Sequence, residues 1–175
     1  MTPGARLQAA IDILSTIDAT RHPADRVFDG WARGSRFAGS KDRAAVGELV
    51  FKAMRHRAEL TTALGSDTPR LLVLGVVSMI DEAGPAAAMA LADGARHAPA
   101  PLEADEAAAL RKAVLPGADA PAYVRLNYPE WLHAEFATAF GDRLEGEMAA
   151  LMERAPTDLR VNTLQGDREA ALAAL

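Results

Sequence analysis

Hydrophobic residues recur at intervals of three and four along most of the chain, which is the pattern of amphipathic helices. Leu7, Ile11 and Leu14 show it after Pro3, and a proline at that position fixes a helix start. Ser40 is expected to cap a longer helix, and the apolar run at 71–80 is expected to be the most buried element. The predicted helices cover residues 3–17, 24–33, 40–64, 69–80, 85–96, 104–114, 129–141, 142–154 and 167–175.

One segment alternates apolar and polar residues instead. Residues 159–164 read Leu-Arg-Val-Asn-Thr-Leu, which predicts the one strand of the chain. A strand followed by a single helix cannot bury both of its faces, so we expect the chain to be the front part of a longer protein. The segment 115–127 contains two prolines and a glycine, which indicates a linker and a domain boundary. The predicted fold class is therefore mainly α.

Composition agrees with a helical protein and removes several kinds of chemistry. The chain has 39 alanines but only 13 valines and isoleucines together, which favours helices and argues against an all-β fold. There is no cysteine, so disulfides, thiolate metal sites and cysteine nucleophiles are excluded. Asp12 and Asp18 interrupt any leader-like apolar stretch, and the run at 71–80 is too short to span a bilayer. We expect a cytoplasmic protein that has no membrane partner.

The net charge of −5 hides an asymmetry between the two parts of the chain. Residues 1–70 hold eleven lysines and arginines against eight acidic residues, whereas residues 71–175 hold eight against sixteen. Seven of the basic residues fall within 33–57, where only Asp42 and Glu48 oppose them. Such a cluster is a candidate site for an anion, and the phosphate backbone of a nucleic acid could lie across it.

Six residues of this cluster form the predicted RNA-binding set: Arg33, Arg36, Lys41, Lys52, Arg55 and Arg57. At 100° per residue, Lys41, Lys52 and Arg55 project within about 60° of one another on a helix that begins at Ser40. Arg43 and Arg57 point instead toward the apolar side of that helix, and Arg43 is expected to be a half-buried ion-pair partner. The alternative is that the whole cluster is a solvated face without a ligand.

Other candidate chemistry is weak. No glycine-rich phosphate loop is present, and the four histidines lack the spacing of metal ligands, so we predict neither a nucleotide site of that kind nor a metal. Neighbouring acidic residues such as Asp81 and Glu82 point to different sides of a helix and indicate a solvated surface. Trp31 and Trp131 could stack on bases, but each falls in an apolar row, which favours core packing.

Three strings in the sequence resemble a known family. Tyr-Pro-Glu-Trp-Leu at 128–132, Phe-Gly at 140–141 and Arg-Val-Asn-Thr-Leu at 160–164 resemble the approach to the catalytic domain in the RsmB/Sun (Fmu) group of ribosomal RNA cytosine-5 methyltransferases. Asp42-Arg43, followed by the segments 49–51 and 54–57, resembles the NusB-like helical domain that opens those enzymes. Phe51-Lys52 departs from that family pattern, which often has an aromatic residue and a glycine there.

The resemblance implies a NusB-like helical RNA-binding bundle over residues 1–115, a linker at 116–128, and the first strand and helix of a small α/β, RRM-like module within 129–175. It also implies that S-adenosylmethionine binds to a catalytic domain outside this chain. The two cysteines used by the family are absent, so no catalytic or cofactor-binding residue can be assigned, and the chain alone should be inactive.

The expected partners are ribosomal RNA and the enzyme's own catalytic domain, and an oligomer is not expected. Two alternatives remain: a stand-alone NusB-type RNA-binding or antitermination factor, and a helical domain that only packs against the catalytic domain. The first would end near residue 115 to 140, which counts against it here.

Overall fold

The computed structural model describes residues 1–153 and 158–174, and within them the protein is helical. The eleven α-helices of this part are α1 (Pro3–Thr20), α2 (Ala24–Gly34), α3 (Ser40–Arg55), α4 (Arg57–Leu64), α5 (Pro69–Gly75), α6 (Gly84–Ala90), α7 (Ala104–Lys112), α8 (Ala122–Arg125), α9 (His133–Phe140), α10 (Leu144–Met152) and α11 (Arg168–Ala173). A π-helical turn, Val76–Ile80, extends α5. Short 3-10 turns at Glu130–Leu132 and Gly141–Arg143 precede α9 and α10.

The main hydrophobic core is built around α5. Every residue from Leu71 to Val76 is buried, as the unbroken apolar run predicts. Helices α1, α3 and α4 pack on its sides, and α6 and α7 close the remaining side. The predicted helix start at Thr68-Pro69 is confirmed, because Pro69 is the first residue of the helix, but the Thr68 side chain makes no capping hydrogen bond.

A second, smaller cluster lies beyond the proline-containing segment. Tyr128, Leu144 and Met148 are buried there, and Leu132, Phe136 and Phe140 pack against them. The rings of Tyr128 and Phe136 meet edge to face with 5.2 Å between their centroids. Phe136 and Phe140 make a similar contact at 5.9 Å. Residues 123–148 therefore have an apolar centre of their own.

Asn127 connects the two clusters. Its side-chain oxygen accepts the backbone N–H of Glu59 at 3.1 Å, and its amide donates to the Glu59 carboxylate at 3.0 Å. Its backbone is left-handed, with φ of 52°, a conformation that asparagine tolerates better than most residues. The predicted linker thus contains α8 and is held against α4 rather than running free of the bundle.

Several predicted boundaries are wrong. The helix predicted for 40–64 breaks at His56, and the one predicted for 85–96 ends at Ala90. There the chain turns through Gly94, whose φ is 72° and whose N–H bonds to the Pro99 carbonyl at 2.9 Å. Gly39, rather than Ser40, caps α3, and its N–H donates to the Asp42 carboxylate at 3.2 Å. Residue 154, the predicted end of one helix, and residue 175 lie outside the described residues.

The strand predicted for 159–164 is not observed. The described residues contain no strand, and the Gln165 N–H bonds to the Asn162 carbonyl at 3.0 Å in a turn. A strand requires a second strand to accept and donate its hydrogen bonds, and the described part of the chain offers none. The helix predicted after it is present, and the Asp167 side chain caps it by accepting the Ala170 N–H at 2.8 Å.

Among the described helices, no individual one has both the length and the hydrophobicity to cross a bilayer. Only α4 and the extended α5, taken together, meet that test, and they are bent by 100° relative to each other.

The start of α3 is held by an ionic cluster. The Asp42 carboxylate lies 3.1 Å from the amino-terminal nitrogen and 2.8 Å from Arg6. These contacts hold the pKa of Asp42 below its ordinary value of 3.8, with the amino terminus as the largest cause and Arg6 next. Because the folded pKa lies below the unfolded one, the stabilisation is complete well above pH 3.8 and disappears as the pH falls through the folded value.

We therefore expect Asp42→Asn to lower the thermal midpoint at pH 7, and expect this difference from the wild type to shrink as the pH falls below about 4. Thermal unfolding followed by circular dichroism at several pH values measures both. Asp105→Asn is the control, because Asp105 is exposed and forms no ion pair within the described residues. A difference between Asp42→Asn and wild type that stays constant with pH would contradict the ionic account.

Candidate nucleic-acid interface

The six residues predicted to bind RNA lie on α2, the loop 35–39, α3 and the start of α4. These residues occupy three different environments. Three are exposed cations, two are cations held in ion pairs, and one is a half-buried arginine.

Arg33, Arg36 and Lys41 are exposed, and none of them forms an ion pair within the residues that the structure describes. The loop that carries Arg36 is anchored on both sides, because Ser35 and Ala38 are buried. The Ser35 N–H donates to the Trp31 carbonyl at 2.9 Å, and the Ala38 N–H to the Ser35 carbonyl at 3.0 Å. The loop therefore presents Arg36 to solvent from a fixed backbone.

Lys52 and Arg57 are held by acidic side chains of the bundle. The Lys52 ammonium lies 2.6 Å from Asp81 and 3.4 Å from Glu48, and the hydrogen bond to Asp81 is the largest cause of its raised pKa. Arg57 donates two hydrogen bonds to Asp18, at 2.8 and 2.9 Å. The bond to Asp18 is also what raises the Arg57 pKa most. These two cations already have counter-ions, which angular spacing on α3 alone could not reveal.

Arg55 belongs to a third environment, together with Arg43. Both side chains are half-buried, and the Nε atom of each is buried without a hydrogen-bond partner in the described residues. Arg43 is half-buried as expected, but the ion pair predicted for it is wrong: no carboxylate lies within 4.0 Å in this part of the structure. Its acidic neighbour in sequence, Asp42, is engaged with Arg6 and the amino terminus instead.

Aromatic residues lie beside these cations. Trp31 packs against the core as predicted, and Phe28 contacts both Trp31 and Phe51, with centroid distances of 5.8 and 5.9 Å. Phe37 is 74% exposed at the tip of the loop and borders a cleft of about 470 Å³ together with Trp31. The sequence prediction missed Phe37, although its place outside any apolar helical row, between Arg36 and Gly39, was an available signal.

The second tryptophan behaves differently from the prediction. Trp131 is 75% exposed and does not pack in the core. Leu132, Phe136 and Phe140, spaced four residues apart, occupy the inward face of this segment. Trp131 precedes that row by one residue, and one residue is a rotation of about 100° on a helix, so its indole points away from the cluster.

Two histidines have structural partners. His56 pairs with Glu59, and Nδ1 of His133 lies 2.8 Å from the Tyr128 hydroxyl. Burial raises the pKa of that tyrosine. Within residues 1–153 and 158–174, no group of three or more histidine or acidic side chains is arranged to hold a metal ion.

Comparison with known proteins gives one match. Residues 128–175 match the family model of the ferredoxin-like domain of RsmF/B-like methyltransferases. This segment is 48 of the 175 residues and contains all three strings at 128–132, 140–141 and 160–164. The match relates the carboxy-terminal part of the chain to those methyltransferases. No curated protein and no solved structure matches the chain.

Proposed function

We propose that this chain is the amino-terminal part of an S-adenosylmethionine-dependent methyltransferase that forms 5-methylcytosine in small-subunit ribosomal RNA. The observation that carries the proposal is the match of residues 128–175 to a domain of RsmF/B-like methyltransferases. A free-standing NusB-type factor would have no use for this domain. In the proposal, residues 1–115 form the RNA-docking bundle, residues 116–128 the connection, and residues 129–175 the start of the domain adjoining the catalytic one.

Methyl transfer itself is assigned to the catalytic domain. Carbon 5 of cytosine becomes nucleophilic after a thiolate adds to carbon 6, and this chain contains no cysteine. S-adenosylmethionine would bind in a crevice at the ends of parallel strands, and the described residues contain no sheet that could form one. The residues present do not fit the cofactor, so we assign none of them to it.

Docking of RNA is the role that the charge distribution of this chain supports. Cations on α2, the loop 35–39 and α3 lie on a bundle whose remaining charged residues are mainly acidic. A local positive surface on an acidic protein selects the side from which a polyanion approaches. The exposed residues Arg33, Arg36 and Lys41 are the proposed first contacts with the RNA backbone, whose phosphates give affinity and orientation without reading sequence.

Ultraviolet crosslinking of the complete enzyme to its ribosomal RNA, mapped by peptide mass, tests this role. We expect crosslinked peptides from residues 21–57. Crosslinks confined to the catalytic domain would contradict RNA docking and would favour a bundle that only packs against that domain. The gene downstream of codon 175 decides between enzyme and free-standing factor: a glycine-rich methyl-donor motif with two cysteines supports the enzyme, and a stop codon supports the factor.

A further inference from the structure

A groove between α2 and the outer side of α3 contains the two half-buried arginines that lack a carboxylate partner. Its volume is about 340 Å³. The residues that define it are Phe28, Arg43, Gly47, Glu48, Phe51 and Arg55. We call it the Arg43–Arg55 groove.

Four of these residues form one row along α3. Arg43, Gly47, Phe51 and Arg55 follow one another at intervals of four, which places them on one ridge of the helix. At 1.5 Å per residue, the Cα atoms of the two arginines are roughly 18 Å apart. A Cβ added to Gly47 would lie 3.1 Å from the Phe28 ring, so that ring fits directly over the glycine. The groove is therefore aromatic in the middle, where Phe28 and Phe51 line it, and has an arginine towards each end.

The electrostatics of the groove are unusual for this protein. Arg57, Arg70 and Arg125 are comparably buried, and each has a carboxylate within 3.0 Å. Arg43 and Arg55 have none within 4.0 Å in the described residues. Their buried Nε atoms make no hydrogen bond, which is also true of Arg70, but Arg70 has the Glu106 carboxylate beside it. Burying part of a guanidinium, here the Nε atom, without a counter-ion costs free energy, which an anion entering the groove would offset.

The one carboxylate that borders the groove does not fill this role. Glu48 is exposed, and its oxygen lies 3.4 Å from the Lys52 ammonium, which also holds Asp81. Its charge is therefore partly compensated by Lys52, and it lies beyond 4.0 Å from both arginines. The anion that the groove accepts must come from another molecule.

We infer that the Arg43–Arg55 groove binds single-stranded RNA, with the two guanidinium groups on backbone phosphates and the Phe51 ring under a base. The choice of RNA rests on the proposed function, but the site is distinct from the exposed cations Arg33, Arg36 and Lys41. Cations that flank an aromatic ring suit a single strand, since its bases can leave their stack and lie on the ring. An acidic protein segment would use the arginines but would gain nothing from Phe51.

Fluorescence anisotropy with a short fluorescein-labelled oligouridylate tests the inference on the chain as it stands. We expect Arg43→Gln with Arg55→Gln to weaken binding at least tenfold. Loss of two phosphate contacts should also reduce the slope of log affinity against log salt by about 1.4, at about 0.7 per contact on a single strand. Phe51→Leu should weaken binding about tenfold through lost stacking, with no change in that slope.

The matched control is Arg70→Gln with Arg125→Gln, which removes the same charge from two arginines that already have carboxylate partners and lie outside the predicted RNA-binding set. Its affinity should stay within about twofold of wild type. The Arg43 and Arg55 variant should melt no earlier than wild type, because it breaks no ion pair. If the double variant does melt early, Arg43→Gln and Arg55→Gln are measured separately. Each should then reduce the slope of log affinity against log salt by about half as much as the double variant.

Three results would overturn the inference. One is wild-type affinity in the Arg43 and Arg55 variant, and another is an equal loss in that variant and in the control. The third is displacement of the oligouridylate by an oligoglutamate of equal charge, which would mark the groove as a site for an acidic protein. If wild type and the groove variant both bind the oligouridylate normally, the groove is not the RNA site, but RNA docking elsewhere on the chain still stands. If wild type does not bind the oligouridylate, both the groove and the RNA-docking role of this chain are rejected.

Discussion

Leu72→Ala is expected to lower the free energy of unfolding by about 2 to 5 kcal/mol, the range for deleting a buried leucine side chain. Leu72 is 0% exposed in the middle of α5, and this helix is packed against α1, α3 and α4. Truncation would leave a cavity that none of these helices can fill without moving away from another. Urea unfolding followed by far-ultraviolet circular dichroism measures the difference.

Val114→Ala is the control for this substitution, because Val114 is 78% exposed just after α7. Its free energy of unfolding should stay within about 0.5 kcal/mol of wild type, as for most surface positions. A loss of similar size in both variants, or none in Leu72→Ala, would contradict the placement of α5 at the centre of the bundle.

Replacing Arg33, Arg36 and Lys41 together by glutamate is expected to weaken ribosomal RNA binding at least tenfold. Each of the three is exposed and has no ion-pair partner in the described residues, so the loss would come from phosphate contacts and not from unfolding. The slope of log affinity against log salt should fall by about 2, at about 0.7 for each lost contact to a single strand. A salt titration of filter binding, on wild type and variant, measures both quantities.

A triple substitution on the acidic part of the chain separates a local surface from a general effect of charge. Arg111, Lys112 and Arg168 are also exposed and form no ion pair within the described residues, and replacing them by glutamate changes the net charge equally. This control should retain most of the affinity. Equal losses in the two triple variants would show that net charge, and not the surface formed by α2, the loop 35–39 and α3, governs binding.

The helices of the bundle could be predicted from the sequence where local signals agree with packing. α1 begins at Pro3, α5 at Pro69, and the run at 71–76 is buried as its composition indicates. Each of these helices begins at a proline, and the apolar residues that follow the proline are the ones that the fold buries. α11 follows the same logic through the cap at Asp167.

Tertiary contacts explain the elements that the sequence could not predict. The apolar pattern continues across His56, so it does not show that the helix breaks there and restarts at Arg57. The alternation at 159–164 is a sound strand pattern, but it needs a partner strand that the described residues do not supply. Trp131 fits an apolar row in sequence, yet Leu132, Phe136 and Phe140 already fill the inward face.

In the candidate interface, too, some features could be predicted from the sequence and others depend on tertiary contacts. Clustering of cations within 33–57 is visible in the sequence, and the exposure of Arg33, Arg36 and Lys41 agrees with it. Which cations already have counter-ions is not visible, because Asp18 and Asp81 reach Arg57 and Lys52 from other helices. The unpaired state of Arg43 and Arg55 likewise depends on which acids the fold brings near them. Charge pairing between distant segments is what the sequence alone could not supply.

Bisulfite sequencing of small-subunit ribosomal RNA tests the proposed enzyme most directly. Deleting the gene that encodes this chain should remove 5-methylcytosine at one position, and the intact gene should restore it. A gene shortened to residues 1–175 should not restore the mark, because these residues contain no cysteine. Unchanged methylation at every cytosine of the deletion strain would contradict the assignment to a ribosomal RNA methyltransferase.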